Sequence, residues 1–351
     1  MQYGAAHTNG LYTVPNASGT QFMDGVNKIW DLGMRTLKIY CTPDYATNYP
    51  LETAFASPAS PTTCTELCQT NEFEAAFALA WDTVVMTTFT FANGSTNWWR
   101  GFDGPTKTKL DAEYTEIYNL AVHLLTTYND SGKRFVLQNW EGDWAYMDAF
   151  VADTANERKY VEWYAAFLAI RQKAVSDARR VTAHKNVTVL NAIEVNRVLD
   201  AMTYPHRPRI LTSIAQRIQP DVVSYSAYDS TIADIGYGAN TAAWEALCTT
   251  NFTKALRAIK RAFPGVPISI GEFGFPENEI TNEQLNHDAG AMIQKVKDIA
   301  LSEGCTWLLY WEVFDNETHG TYTYRGYWLR KPDNTLTTAG QKMSDFANGL
   351  A

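Results

Sequence analysis

Residues 267–274 read Pro-Ile-Ser-Ile-Gly-Glu-Phe-Gly. A proline opens the run, isoleucines alternate with small residues, and one carboxylate appears two residues before the closing glycine. Such a run reads as a short buried strand that ends in a reactive group. Seven other stretches have a similar shape: 2–6 (QYGAA), 35–41 (RTLKIYC), 83–91 (TVVMTTFTF), 134–140 (RFVLQNW), 187–194 (VTVLNAIE), 221–228 (DVVSYSAY) and 305–312 (CTWLLYWE). Helix-like segments separate them, at 20–32, 70–81, 109–128, 154–183, 207–218, 240–262 and 281–302. Asp-Ala-Glu at 111–113 and Thr-Asn-Glu at 281–283 mark acidic helix starts. Eight strand–helix units in 351 residues predict an α/β protein, a single (β/α)8 TIM barrel formed by one domain over 1–351. An open doubly wound sheet is disfavoured, because no Gly-x-Gly-x-x-Gly follows any of the strands.

Composition narrows the partners. The net charge is −9, which argues against nucleic acid, whose backbone demands clustered Lys and Arg. No apolar run approaches the ~18 residues of a membrane span. Eleven Trp, 19 Tyr and 16 Phe make the chain rich in rings. Five cysteines (Cys41, Cys64, Cys68, Cys248, Cys305) have no metal-type spacing, and an odd count allows at most two disulfides. Cys64 and Cys68 lie in a Pro/Thr/Ser-rich stretch that reads as a stapled loop, or else all five are reduced core thiols. Six Asn-X-Ser/Thr sequons, at Asn16, Asn93, Asn129, Asn186, Asn251 and Asn316, fit a secreted, extracellular glycoprotein. No signal peptide is visible at the N-terminus. A monomer is expected.

In a barrel of this kind the chemistry sits where strands end. The fourth run continues as Phe135-Val136-Leu137-Gln138-Asn139-Trp140-Glu141-Gly142-Asp143-Trp144. Strand alternation places Phe135, Leu137, Asn139 and Glu141 on one face, with the first two filling the barrel and the last two at its mouth. The same rule groups Ile268, Ile270 and Glu272. Glu141 and Glu272 then face each other across the mouth. Two facing carboxyls are the minimum apparatus for glycoside hydrolysis: one protonates the leaving oxygen, the other attacks or activates water.

These residues carry a resemblance. Ile270-Gly271-Glu272-Phe273-Gly274 resembles the nucleophile strand of the family 5 glycoside hydrolases, which include cellulases and mannanases. Gly33-Met34-Arg35-Thr36-Leu37-Lys38-Ile39 resembles their second strand, with Lys38 where that family has Arg. The clan to which family 5 belongs places an acid/base Glu after strand four and a nucleophile Glu after strand seven. The resemblance therefore implies a retaining (β/α)8 glycosidase with Glu141 as acid/base and Glu272 as nucleophile, without a cofactor or metal, acting on a carbohydrate that is β-linked. It further implies that Tyr228 hydrogen-bonds the nucleophile, that Trp311 forms a sugar platform and that Asn139 and Lys38 bind substrate. Trp140 separates Asn139 from Glu141, which keeps Asp143 as a rival acid, and Ser226 stands where family 5 has histidine. These departures point to a divergent member of the clan.

Other residues divide between packing and binding. Trp98 and Trp99, in Asn97-Trp98-Trp99-Arg100, and Trp140 are candidates for stacking on sugar. Glu194 either binds sugar hydroxyls or pairs with Arg197. Trp311 and Glu312 cannot both point inward, and Trp311 is the choice. His7 and His319 are weaker candidates, as are Tyr45 and Tyr49. The six histidines lack an H-x-H or H-E-x-x-H pattern, which leaves a metallohydrolase barrel poorly supported. No Gly-x-Ser-x-Gly elbow is present. The rival in another class is a non-catalytic carbohydrate-binding barrel, which would keep the aromatic walls without a working carboxyl pair.

Overall fold

Eight parallel strands close into a barrel in simple sequence order: β1 Gln2–Ala6, β2 Thr36–Cys41, β3 Thr83–Thr88, β4 Arg134–Gln138, β5 Thr188–Val195, β6 Val222–Ser226, β7 Ile268–Phe273 and β8 Trp307–Tyr310. β1 pairs with β8 through Gly4↔Leu309, which completes the ring. The coordinates come from a computed structural model that describes residues 1–15, 19–49, 60–94, 98–100, 104–145, 157–282, 284–320 and 322–350. Asn16 and Asn97 lie outside these described residues.

The principal helices are α1 Gln21–Asp31, α2 Asn71–Ala78, α3 Lys107–Thr127, α4 Glu157–Val181, α5 Thr241–Ala262, α6 Ala289–Ser302 and α7 Thr338–Ala347. Short polar side chains start most of them by accepting a free backbone N–H. Thr20 caps Met23, Thr106 caps Lys109, Asn240 caps Ala243, Asp288 caps Ala291 and Thr337 caps Gly340. The helix expected at 207–218 forms only a single wide turn at Ile210–Ile214. Of the segment expected at 281–302, only Ala289–Ser302 forms the helix, α6, and a separate short turn at Glu277–Ile280 precedes the expected segment. The final helix, α7, went unread in the sequence.

Two cores stack on the two sides of the barrel wall. Inside lie Val85, Val136, Ala192, Val222, Trp307 and Leu309, with Leu190 against them. Outside, Leu37, Ile39, Met86, Phe135, Leu137, Ile193, Tyr225, Ile268 and Ile270 pack with the helices in one continuous cluster. The expected inward face of β4 and β7 is thus reversed. Phe135 stacks edge-on against Phe77 of α2, and Ile268 and Ile270 belong to the helix-facing layer. Both faces of a helix-covered parallel strand are apolar, so alternation alone does not say which one is inside.

The interior changes character from floor to mouth. Large Trp307 and Leu309 on β8 fill the floor, with Gly4 of β1 beside Leu309, and above this apolar floor lie Lys38, Gln138, Glu194, Ser226 and Glu272. Gly4 is required by that fit. A Cβ there would lie 1.9 Å from the carbonyl oxygen of Thr36 and 2.8 Å from Leu309. Gly4→Ala is therefore expected to destabilise the fold by roughly 1–3 kcal/mol or more, because the obstacle is backbone and cannot rotate away. Chemical denaturation of the two proteins checks this.

Candidate active site

Glu272 reaches the mouth through a fault in the strand. β6 and β7 pair as Tyr225↔Ile270 and then Ser226↔Glu272, leaving Gly271 as an unmatched residue. A bulge of this kind turns the following side chain to the other face. Ile270 faces the helices, yet Glu272, of the same parity, faces the barrel axis. Only glycine fits at the bulge: a Cβ on Gly271 would lie 1.9 Å from Ser224 Oγ. Glu141 arrives by another route. β4 ends at Gln138, and the chain then turns through Glu141 at φ 21°, a left-handed conformation rare for a side-chain-bearing residue.

The two carboxyls meet at one hydroxyl. Ser226 Oγ lies 2.9 Å from Glu141 Oε1 and 3.4 Å from Glu272 Oε2. Behind them Lys38 Nζ donates to Glu272 Oε1 at 2.6 Å and to Glu194 Oε1 at 3.1 Å, with its side chain fully buried. Lys38, expected among the substrate-binding residues, instead lies behind the cavity wall and contacts the expected nucleophile.

The environment sets the two carboxyls apart. Burial raises the proton affinity of Glu272, to about 7, and the charge of Glu194 adds to the rise; the Lys38 ammonium and the bonds from Lys38 and Ser226 oppose it. Burial also pushes Glu141 well above the ordinary carboxylate range, and the charges of Glu272 and Glu194 push it further. Ser226 and the more distant Lys38 pull Glu141 back down. The pair is arranged to hold one proton on Glu141 while Glu272 stays ionised. Burial works against the charge of Lys38, but Glu194 and Glu272 outweigh it and its net shift is upward.

A cavity of about 520 Å³ opens onto this pair. Trp140, Tyr228, Tyr237, Trp311 and Tyr327 supply rings, and Glu317 and Arg325 close the far wall. Trp140 and Trp311 thus lie where expected, and Trp311, not Glu312, faces the cavity. Glu312 is fully buried and accepts the N–H of Thr8 at 3.1 Å. Tyr228 lines the cavity, and burial followed by the nearby Glu272 charge raises its hydroxyl's proton affinity. The hydrogen-bond donors on Glu272 are nevertheless Lys38 and Ser226. Ser226 thus does the work the sequence reading assigned to Tyr228.

Several expected contacts with ligand prove to be packing. Asn139 is buried: its Oδ1 accepts from Glu194 N at 3.1 Å, and its Nδ2 donates to Tyr164 Oη and Trp140 O at 3.3 Å each. Trp98 packs edge-on against Phe167 and Trp99 lies against Tyr164, both on α4. Glu194 is fully buried and pairs with Lys38; Arg197 turns instead to Asp234. Asp143 is no rival acid, because its buried carboxylate accepts the N–H groups of Asn196, Arg197 and Ile210. His7 is buried beside Gln21, and Tyr49 bridges Tyr40 N and His7 O. His319 is exposed and pairs with Glu279. The cysteines are all buried free thiols, with Cys41 and Cys68 sulfurs 3.8 Å apart.

Glu317, Arg325, Tyr237 and Tyr327 were not found in the sequence. Arg325 donates to Glu279 at 2.6 Å and to Glu317 at 2.7 Å, and its guanidinium sits 5.3 Å from the Tyr327 ring centre. These residues come from irregular segments after β6 and β8, where no periodicity marks them.

With this geometry in place, comparison with known proteins is informative about architecture. No family model matches the chain, and no curated protein is similar to it. Solved structures do match. GH5_18 of Bifidobacterium longum subsp. longum superposes with a TM-score of 0.62 at 16% identity, over 99% of this chain and 79% of that one. A broad-specificity GH5-4 endoglucanase of Bacteroides salanitronis gives 0.57 at 16%, over 99% and 93%. A family 5 xyloglucanase of Paenibacillus pabuli gives 0.56 at 15%, over 100% and 99%. The fold is shared with family 5 glycoside hydrolases. At these identities the likeness is one of architecture, and it agrees with the closed (β/α)8 barrel read from the chain.

Replacing Ser226 by Ala removes the donor common to both carboxyls. Because that bond lowers the proton affinity of each, both titration midpoints are expected to rise further above 4.5 in Ser226→Ala. Carbon-13 NMR of labelled glutamate side chains reads both midpoints; unchanged values would refute the shared-donor assignment.

Proposed function

We propose that the protein is a retaining glycoside hydrolase in which Glu272 is the nucleophile and Glu141 the acid/base. One observation carries this reading: a single serine hydroxyl, at 2.9 and 3.4 Å, spans the half-buried carboxyl of Glu141 and the buried carboxyl of Glu272 in an open, ring-lined cavity. Retaining enzymes hold their carboxyls ~5–5.5 Å apart, and inverting enzymes need more room for a water. A hydroxyl in contact with both supports the closer arrangement.

The chemistry follows from the charges. Glu272, kept ionised by Lys38, attacks the anomeric carbon while Glu141 gives its proton to the leaving oxygen. The glycosyl ester that forms on Glu272 carries no charge. One of the charges that raised Glu141 is then gone, so Glu141 stays ionised more readily and is free to take the proton of the incoming water. Trp140 and Trp311 offer flat apolar faces to sugar rings. The B. longum protein has been solved in a complex with Manβ1-4GlcNAc, which supports a carbohydrate, and a β-linked one, as ligand here. The facing carboxyls also favour an enzyme over a barrel that only binds sugar.

The test is digestion of β-linked glucan, mannan and aryl β-glycoside panels. Wild type is expected to cleave at least one member, with Glu272→Ala and Glu141→Ala each reduced by about 10³-fold or more on substrates with poor leaving groups. Proton NMR of the first product should show the anomer of the substrate retained. An inverted product, or equal activity in all three proteins, would refute the assignment. The kcat/KM profile should be bell-shaped, with both limbs displaced upward from the ordinary carboxylate value of 4.5.

A further inference from the structure

The sequence offered Glu194 as a contact for sugar. Its position assigns it another task. It is fully buried on β5, is absent from the cavity wall, and spends both carboxylate oxygens on the protein. Oε1 accepts from Lys38 Nζ at 3.1 Å and from Gln138 Nε2 at 3.1 Å. Oε2 accepts the backbone N–H of Glu141 at 2.6 Å.

We propose that Glu194 is a positioning residue that couples the two carboxyls of the pair, holding the counter-ion of Glu272 with one oxygen and the backbone of Glu141 with the other. The inference rests on the glycosidase reading above and deepens it.

The geometry supports a clamp with contacts in both directions. Asn139, just after β4, accepts the N–H of Glu194, while Glu194 accepts the N–H of Glu141, two residues beyond Asn139. The chain between them is pressed onto β5: a Cβ on Gly142 would lie 2.7 Å from Glu194 O and 2.8 Å from Tyr164 Oη. Glu141 sits in the left-handed region at φ 21°, where a free chain would not rest. The bond from Glu141 N to Glu194 is placed to hold that conformation. Toward β2, Lys38 is shared between Glu194 and Glu272, so its ammonium is held at one point by two anions. A displaced Glu194 would release both ends of the pair together.

The titratable groups facing Glu194 are Lys38 and Tyr40 on β2, Glu141 after β4 and Glu272 on β7; neutral Gln138 completes the ring. Its negative charge raises the proton affinity of both reacting carboxyls. Loss of that charge must therefore lower both. A residue that only supported the fold would reduce activity without moving either titration.

The experiment compares wild type with Glu194→Gln on the panel substrate that wild type cleaves best. Both limbs of the kcat/KM profile are expected to move to lower pH by about one unit, with a loss of ~10²-fold at the optimum from mispositioning. Reduced activity with both limbs unmoved, or no change at all, overturns the proposal. Should Glu194→Gln fail to fold, Lys38→Met is compared with Lys38→Met/Glu194→Gln, in which a neutral pair replaces the buried ions. The acid limb is expected to rise in the first and to fall back in the second; identical limbs overturn the proposal. If wild type cleaves no panel glycan, the glycosidase reading fails. Carbon-13 titration of Glu141 and Glu272 in the same variants then decides the coupling alone: both midpoints fall, or the proposal is wrong.

Discussion

A buried ammonium organises the mouth of this barrel. Lys38 has no exposed side-chain surface, and an ion so placed is costly unless anions surround it. Two do, Glu194 from β5 and Glu272 from β7. Those partners in turn must be satisfied, which brings in Gln138, Ser226 and the turn at Glu141. Much of the polar upper layer can thus be traced to one charge on β2. The layer below needs no such argument, being apolar and close-packed around Trp307. Stability and reactivity occupy different heights of the same cylinder.

The sequence made the architecture legible because each strand is a short apolar run between longer amphipathic stretches, and all eight runs became strands. It did not reveal which way the strands face. Phe135, Leu137, Ile268 and Ile270 looked like barrel filling, yet they cover the wall beneath the helices. A better signal was present: polar residues within apolar strands, such as Lys38, Gln138, Glu194 and Ser226, can be there only if they face one another. Motif and strand order nevertheless placed Glu141 and Glu272 at the mouth, where their carboxyls do come together. Their inward aim comes from a turn and a bulge that strict alternation does not contain.

The rings divide in a way composition could not show. Trp140, Trp311, Tyr228, Tyr237 and Tyr327 border the cavity. Trp98 and Trp99, neighbours in an apparently exposed loop, instead cover α4 through Phe167 and Tyr164. Adjacent tryptophans in a loop therefore did not mark a binding surface. The wall built by Glu317 and Arg325 was silent in the sequence because it depends on segments after β6 and β8 folding toward each other, not on any local pattern.

The unmatched glycine in β7 has a consequence for how such a site is acquired or lost. Gly271 acts as a half-period phase shift in the strand: upstream, isoleucines face the helices, and downstream a carboxylate faces the axis. Were Gly271 taken into a continuous ladder instead of bulging out of it, the two faces beyond it would be exchanged. The carboxylate would be carried outward and Phe273 swung to the axis. Every side chain of the site would still be encoded, and the barrel would still close, but the facing carboxyl pair would be gone. A change of register at a single residue can thus decide whether a barrel presents a facing carboxyl pair.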